Sequence, residues 1–276
     1  MKRVLITGKG SYIGESVKSY LLEFPEKYSV EILDTIGWNP KEFDFTNYDV
    51  VFNAAGIAHI KETKKNRHLY YEVNRDLAIN IAKAAKKAGV KQYILLSSMS
   101  VYGLVVGHIN KSTVPHPRNS YGDSKLQADE AIQKLVDDSF IFTCLRPPMV
   151  YGKNCKGNYQ TLRKYAVKFP VFPNYNNQRS MIYIGNLCEF VKNVIDDEMK
   201  GLFFPQNAEY SNTSEIVRLI AESNGKKIKL IKLFNWIIKL FPITVLQKVF
   251  GNLTYDKVDI VSLYSFPDSI VLTEGY

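Results

Sequence analysis

One alternation, repeated through the first half of the chain, constrains the fold more than any other feature. Apolar runs stand at Val4–Ile6, Val30–Leu33, Val50–Phe52, Tyr93–Leu96 and Phe140–Leu145, and segments of helical period lie between them at Ile13–Phe24, Tyr70–Ala88 and Ser124–Leu135. Short uninterrupted apolar runs suit strands buried on both faces, and helix-length connections return the chain so that successive strands pair in parallel. The expected fold class is therefore α/β, a doubly wound parallel sheet with helices on both faces. A length of 276 residues accommodates that domain and a small appendage. We expect the sheet domain over residues 1–170, with 181–200 returning to it, and a compact substrate-binding lobe from most of 171–276. Two stretches rich in Gly, Pro and Asn, Gly103–Arg118 and Pro147–Ser180, are expected to be loops at the site end of the sheet.

Several alternatives drop out early. The opening MKRVLITG has too short an apolar core for a secretory signal, and no run approaches the roughly 20 apolar residues of a membrane-spanning helix. Cys144, Cys155 and Cys188 have no metal-like spacing, no metal is expected, and their usage fits a reducing cytoplasm. The net charge of +9 is spread over dispersed lysines without the dense basic runs of a nucleic-acid arm, which leaves anionic small molecules as the better partners.

The chemistry concentrates where strands end. Thr7-Gly8-Lys9-Gly10-Ser11-Tyr12-Ile13-Gly14 follows the first strand and opens the first helix. Glycines there let a pyrophosphate approach the backbone, and the helix terminus offers free N–H groups and positive potential. Asp34 ends the second strand, where a carboxylate accepts ribose hydroxyls and repels an added phosphate, pointing to NAD rather than NADP; Lys9 is the one hint the other way. The small residues Asn53-Ala54-Ala55-Gly56 at the third strand's end suit close passage of a flat ligand. Tyr121 and Lys125, four apart on one helical face, are a candidate base and the ammonium that would acidify it, and Ser98 after the fourth strand is placed to hold the substrate oxygen. His59, in the loop after the third strand, is a candidate substrate contact.

These segments resemble the extended short-chain dehydrogenases/reductases, the family of NAD-dependent epimerases and dehydratases. The matches are Thr7–Gly14, Ser98 to Gly103, Tyr121-Gly122-Asp123-Ser124-Lys125, Leu145-Arg146-Pro147-Pro148-Met149-Val150-Tyr151-Gly152 and Arg179-Ser180-Met181-Ile182-Tyr183-Ile184. The resemblance implies a Rossmann domain and a Ser98–Tyr121–Lys125 catalytic group. It implies cofactor contacts from Gly8, Gly10, Ser11, Tyr12, Ile13, Gly14, Asp34, Asn53, Ala54, Ala55, Gly56, Asn74, Tyr121, Lys125 and Pro147. It also implies diphosphate contact from Arg179 and a diphosphate-linked sugar as substrate. A homodimer through the helices around Tyr70–Ala88 and Ser124–Leu135, and a role in surface polysaccharide synthesis, are further implications. The leading expectation is a 4-epimerase acting on a sugar of the UDP-glucose or UDP-GlcNAc type. A 4-keto-sugar reductase on the same residues is the alternative, and a non-catalytic dinucleotide sensor the alternative of another class. Met99 and Ser100 stand where dehydratases carry an acid pair, which argues against dehydration. Ser11 replaces the usual second glycine of the turn, and Asn186 an aspartate frequent in relatives.

The basic apolar stretch Lys226–Gly251, with Trp236, Ile237, Ile238, Leu240 and Phe241 among Lys229, Lys232 and Lys239, is expected to pack the small lobe with its lysines reaching outward. Peripheral contact with an anionic membrane is the less favoured expectation.

Overall fold

The structure, a computed structural model, describes the chain apart from His59, Phe234, Phe241, Pro242 and Tyr276 and the side chains of Ile237 and Lys239. Its main element is a six-stranded sheet of β1 (Lys2–Thr7), β2 (Tyr28–Leu33), β3 (Val50–Asn53), β4 (Gln92–Leu96), β5 (Ile141–Leu145) and β6 (Gly201–Phe203). The order is β6-β5-β4-β3-β1-β2, and every neighbouring pair is parallel. The expected parallel α/β architecture is present. Strand β6 was not among the expected strands: its apolar run, Leu202–Phe204, is short, and the strand is a three-residue edge whose residues are all half-buried.

Side-chain alternation along the strands assigns the two faces. Leu5, Val51, Tyr93 and Leu95 share a core with Ala78, Ile81, Ala82 and Ala85 of helix α2 (Ala78–Lys87) and with Ala128 and Ile132 of helix α3 (Ser120–Gln133). Helix α1 (Tyr12–Leu21) lies on the other face, where Gly14 sits against Ile6 and Ala54. Register then fixes the site end. Thr7 is level with both Leu33 and Asn53, Asn53 with Leu95, and Leu96 with Leu145, so the segments leaving these strands emerge in one row. Between β1 and β3 the connections diverge to opposite faces, which is where open α/β sheets leave a crevice for ligands.

The chain divides into two compact units, the first made of residues 1–103, 114–147 and 187–205, the second of 104–113, 148–186 and 206–276. The first holds the six-stranded sheet. Paired short strands frame the second: Met149–Tyr151 with Met181–Tyr183, Val171–Pro173 with Lys229–Ile231, and Gly107–Ile109 with Leu253–Tyr255. Residues 148–170, grouped from sequence with the sheet domain, fall in the second unit because Met149–Tyr151 pairs with Met181–Tyr183. The stretch Pro147–Ser180 is not loop throughout. It contains the helix Asn158–Lys168, which buries Tyr159, Leu162 and Ala166 at spacings of three and four that the surrounding Gly, Pro and Asn obscure.

The expected packing of Lys226–Gly251 is only partial: among its described side chains Phe250 alone is buried. Phe250 is buried against the rings of Phe172 and Tyr175, at 5.8 and 5.5 Å between centroids. Trp236 is 59% exposed and Leu240 67%. The helices here, Asn235–Leu240 and Thr244–Phe250, are too short to turn a complete apolar stripe inward. Ile237, Lys239 and Phe241 lie outside the described side chains. No helix among the described residues is long and apolar enough to cross a membrane.

Candidate active site

The turn after β1 shows why its residues are small. Gly8 has φ +93°, and a Cβ there would stand 2.7 Å from the Ala55 backbone, so β1 and the segment after β3 approach too closely for any side chain. Ser11, the departure from the usual glycine, caps α1: its Oγ accepts from the Gly14 N–H at 3.2 Å. Tyr12 and Ile13, both half-buried, open that helix. The Gly10 N–H donates to a carboxylate oxygen of Glu15 at 2.8 Å, so an anion already satisfies this turn. A pyrophosphate offers the same chemistry to the same donor, and the residues fit a dinucleotide. Asp34 is exposed directly beyond β2, its Oδ1 accepting from the Ile36 N–H at 3.0 Å.

Asn53, Ala54 and Ala55 are buried, and the Asn53 Oδ1 accepts from the Thr7 hydroxyl at 2.5 Å. Asn74 clamps the loop that follows: its Oδ1 accepts from the Ile57 N–H at 2.7 Å and its Nδ2 donates to the Ile57 carbonyl at 3.1 Å. Asn74 belongs to a π-helical segment, Tyr71–Leu77, between the short helix Arg67–Tyr70 and α2. Such wide turns recur at functional sites because they re-aim one side chain. Lys125 reaches the same place: a Cβ on Gly56 would lie 3.0 Å from Asn74 Oδ1 and 3.2 Å from Lys125 Nζ.

Helix α3 is seated against the Ser98 turn. A Cβ on Gly122 would be 2.5 Å from the Ser100 carbonyl oxygen, so only glycine permits this approach. The Asn119 Oδ1 caps the helix on the Gly122 N–H at 2.8 Å, Arg67 donates to Ser120 Oγ at 2.9 Å, and Tyr71 donates to Asp123 at 2.7 Å. Ser98 caps the turn Met99–Tyr102 through the Ser100 N–H at 3.1 Å and shares a hydrogen bond with the Tyr121 hydroxyl. Pro147, buried, accepts the Met99 N–H at 3.0 Å, tying the end of β5 to that of β4.

Burial dominates the electrostatics of these groups. Burial pushes the Tyr121 hydroxyl above its ordinary value, and the Ser98 hydrogen bond offsets only part of this. Burial also lowers the Lys125 ammonium to about 8, against the pull of the Asp129 carboxylate. Lys125 Nζ donates to the Leu96 carbonyl at 2.7 Å. In the protein alone, then, desolvation dominates the Tyr121 hydroxyl.

A buried network braces these residues, and the sequence reading assigned it no role. Asp129 Oδ2 accepts from Arg146 Nε and Ser97 Oγ, each at 3.0 Å, and Arg146 Nη1 donates to the Tyr102 hydroxyl at 2.8 Å. The carboxylate holds the Arg146 pKa above its usual value despite burial. One ion pair thereby joins α3, the end of β4 and the end of β5. The available signal was a carboxylate at Tyr121, Lys125, Asp129 spacing, the inward face of α3.

Arg179 lies in the second unit. Its Nη1 donates to the Gly251 carbonyl at 2.8 Å, and its main chain bonds to Ser211 in both directions. No carboxylate pairs with it among the described residues, and burial alone shifts its pKa down. A half-buried guanidinium without a carboxylate partner retains N–H donors that suit an anion. Asn186 is fully buried in the same unit, bonded to Asn207 and Tyr264, so it is a framework residue there. His59 lies outside the described residues.

Residues 4–202 match the model of the NAD dependent epimerase/dehydratase family. A UDP-glucose 4-epimerase of Vibrio cholerae is 30% identical over 91% of this chain and 83% of its own length. An N-acetyl-alpha-D-glucosaminyl-diphospho-ditrans,octacis-undecaprenol 4-epimerase of Escherichia coli is 32% identical over 58% of this chain and 50% of its own. Among solved structures, the NAD complex of a UDP-glucuronic acid 4-epimerase from Bacillus cereus superposes with a TM-score of 0.75 over 99% of this chain and 98% of that one, at 17% identity. An NADP complex of a dTDP-4-dehydrorhamnose reductase from Bacillus anthracis reaches 0.66 over 85% of each, at 21% identity. With its parallel sheet, glycine-rich turn and Ser98–Tyr121–Lys125 cluster, the chain belongs to the NAD dependent epimerase/dehydratase family.

Proposed function

We propose that this protein epimerises C4 of a sugar carried on a diphosphate, keeping NAD bound from one turnover to the next. The observation that carries the proposal is the convergence of Ser98, Tyr121 and Lys125 at the end of the sheet where the glycine-rich turn and Asn74 also lie. Similarity along most of the chain to a UDP-glucose 4-epimerase supports epimerisation over reduction, and the exposed Asp34 carboxylate supports NAD.

The Gly10 N–H and the first turn of α1 would hold the pyrophosphate, Asp34 the adenosine ribose, and Asn53–Gly56 the adenosine side. Asn74, Lys125 and Pro147 would border the nicotinamide ribose and ring. A bound NAD supplies the acceptor and donor of hydride at C4. Ser98 Oγ orients the C4 hydroxyl, and Tyr121 Oη takes its proton and later returns one to the C4 oxygen. Because burial disfavours the phenolate in the protein alone, its formation needs positive charge beside it. Lys125 contributes one such charge, and a cationic ring would contribute the other. Arg179, lacking a carboxylate, binds the diphosphate.

The substrate proposed is a UDP-linked glucose or N-acetylglucosamine, handled in the cytoplasm for surface polysaccharide synthesis by a homodimer. The test is to denature purified protein, identify any released dinucleotide by mass spectrometry, and assay UDP-linked hexoses and N-acetylhexosamines without reductant. Retained NAD and a C4 epimer are expected. Absence of bound NAD together with steady NAD(P)H consumption on a 4-keto sugar would replace the proposal by a reductase.

A further inference from the structure

We infer that the described residues of 226–250, with the adjoining edge strand Val171–Pro173, form a docking surface for an anionic lipid bilayer. Between Ser223 and Tyr255 the sequence carries six lysines and no Asp or Glu. Lys226, Lys227, Lys229, Lys232 and Lys248 are exposed. So are Leu233, Trp236, Leu240, Ile243 and Val245, side chains that a soluble face ordinarily buries or scatters singly.

The parts are connected within the second unit. Lys229–Ile231 pairs with Val171–Pro173, which sets exposed Lys229 level with exposed Val171. Asn235 donates to the Asn174 carbonyl at 2.8 Å, and Phe250 packs on Phe172. Beside them a shallow cleft of about 280 Å³ is lined by Val167, Lys168, Phe169, Pro170, Lys226 and Lys227, three of them lysines. The neighbouring Glu222 is held by Arg218 at 2.6 Å and does not offset them.

The mixture selects the occupant. Apolar side chains with an exposed tryptophan enter the boundary between headgroups and acyl chains, while lysine stems lie along it and their ammonium groups meet lipid phosphates. A second copy of the chain seated symmetrically would set this uncompensated positive charge against itself. Nucleic acid would use the lysines but leave the aliphatic side chains in water. An anionic bilayer satisfies both sets at once.

The test is co-sedimentation of the full chain with phosphatidylcholine vesicles with and without phosphatidylglycerol, over a series of salt concentrations. Binding only to vesicles with phosphatidylglycerol, weakening as salt rises, is expected. Lys226→Gln/Lys227→Gln/Lys229→Gln and Trp236→Ser/Leu240→Ser should each lower the partition coefficient at least about ten-fold with unchanged thermal melting. The inference is overturned by no binding to phosphatidylglycerol vesicles, or by folded variants that bind like the parent. It is equally overturned if light scattering finds a dimer that Trp236→Ser/Leu240→Ser splits. None of these outcomes depends on which sugar reaction the protein catalyses.

Discussion

Arg146 and Arg179 are both withdrawn from water, yet the two units treat them differently. In the first unit Arg146 is locked to Asp129 at 3.0 Å, with both side chains less than a tenth exposed. In the second unit Arg179 donates to a backbone carbonyl and has no carboxylate partner among the described residues. A buried pair with its hydrogen bonds complete fixes the elements that carry it, here the three that present Ser98, Tyr121 and Lys125. A guanidinium left without a counter-ion costs stability and keeps its affinity for a ligand that brings one. Under the proposed function the first arginine braces the catalytic cluster and the second receives the substrate's diphosphate.

The largest expected effect tests what the positioned groups are for. Tyr121→Phe should lower turnover at least about a thousand-fold while bound dinucleotide, read by mass spectrometry, is retained. Next comes the brace itself. Asp129→Leu should cost about 3–5 kcal/mol in urea unfolding, because Arg146 is left buried and unpaired; a loss near zero would deny the network its role.

Lys125 should show the opposite sign. Its pKa of about 8 in the fold lies below the usual 10.5, so holding it charged costs stability at neutral pH. That cost, on the order of 2–3 kcal/mol, is relieved as pH rises from about 8 toward 10.5, where the unfolded chain binds the extra proton. Lys125→Met should therefore melt higher than the parent at pH 7, with the gap closing by pH 10.5, even as turnover is lost. Calorimetry across that range checks it.

Arg179→Ala should raise KM for the diphosphate sugar about 10–100-fold with a smaller change in kcat, and change stability by no more than about 1 kcal/mol. A loss like that of Asp129→Leu would make the two arginines alike and break the contrast. Smallest of all, Glu222→Gln at the exposed Arg218 pair should cost at most about 0.5 kcal/mol.

The sheet was legible from sequence because strands buried on both faces must be apolar throughout, as Val4–Ile6 and Tyr93–Leu96 are. The candidate cluster was legible because a helix fixes Tyr121 and Lys125 on one face. The electrostatics were not, since spacing reports proximity and says nothing of the desolvation that raises Tyr121 and lowers Lys125. Helix Asn158–Lys168 hid behind glycine- and proline-rich neighbours, and edge strand β6 behind its partial burial. Composition suggested that Trp236 and Leu240 would be buried, but helices of six and seven residues leave them in solvent.

In the proposed reaction hydride leaves and returns to the same carbon while Tyr121 moves only a hydroxyl proton. Converting a C4-deuterated UDP-hexose or UDP-N-acetylhexosamine in ordinary water, without added reductant, tests it directly. The expected product is an epimer that keeps deuterium at C4. Deuterium lost to solvent, or product formed only in step with consumed NAD(P)H, would contradict it.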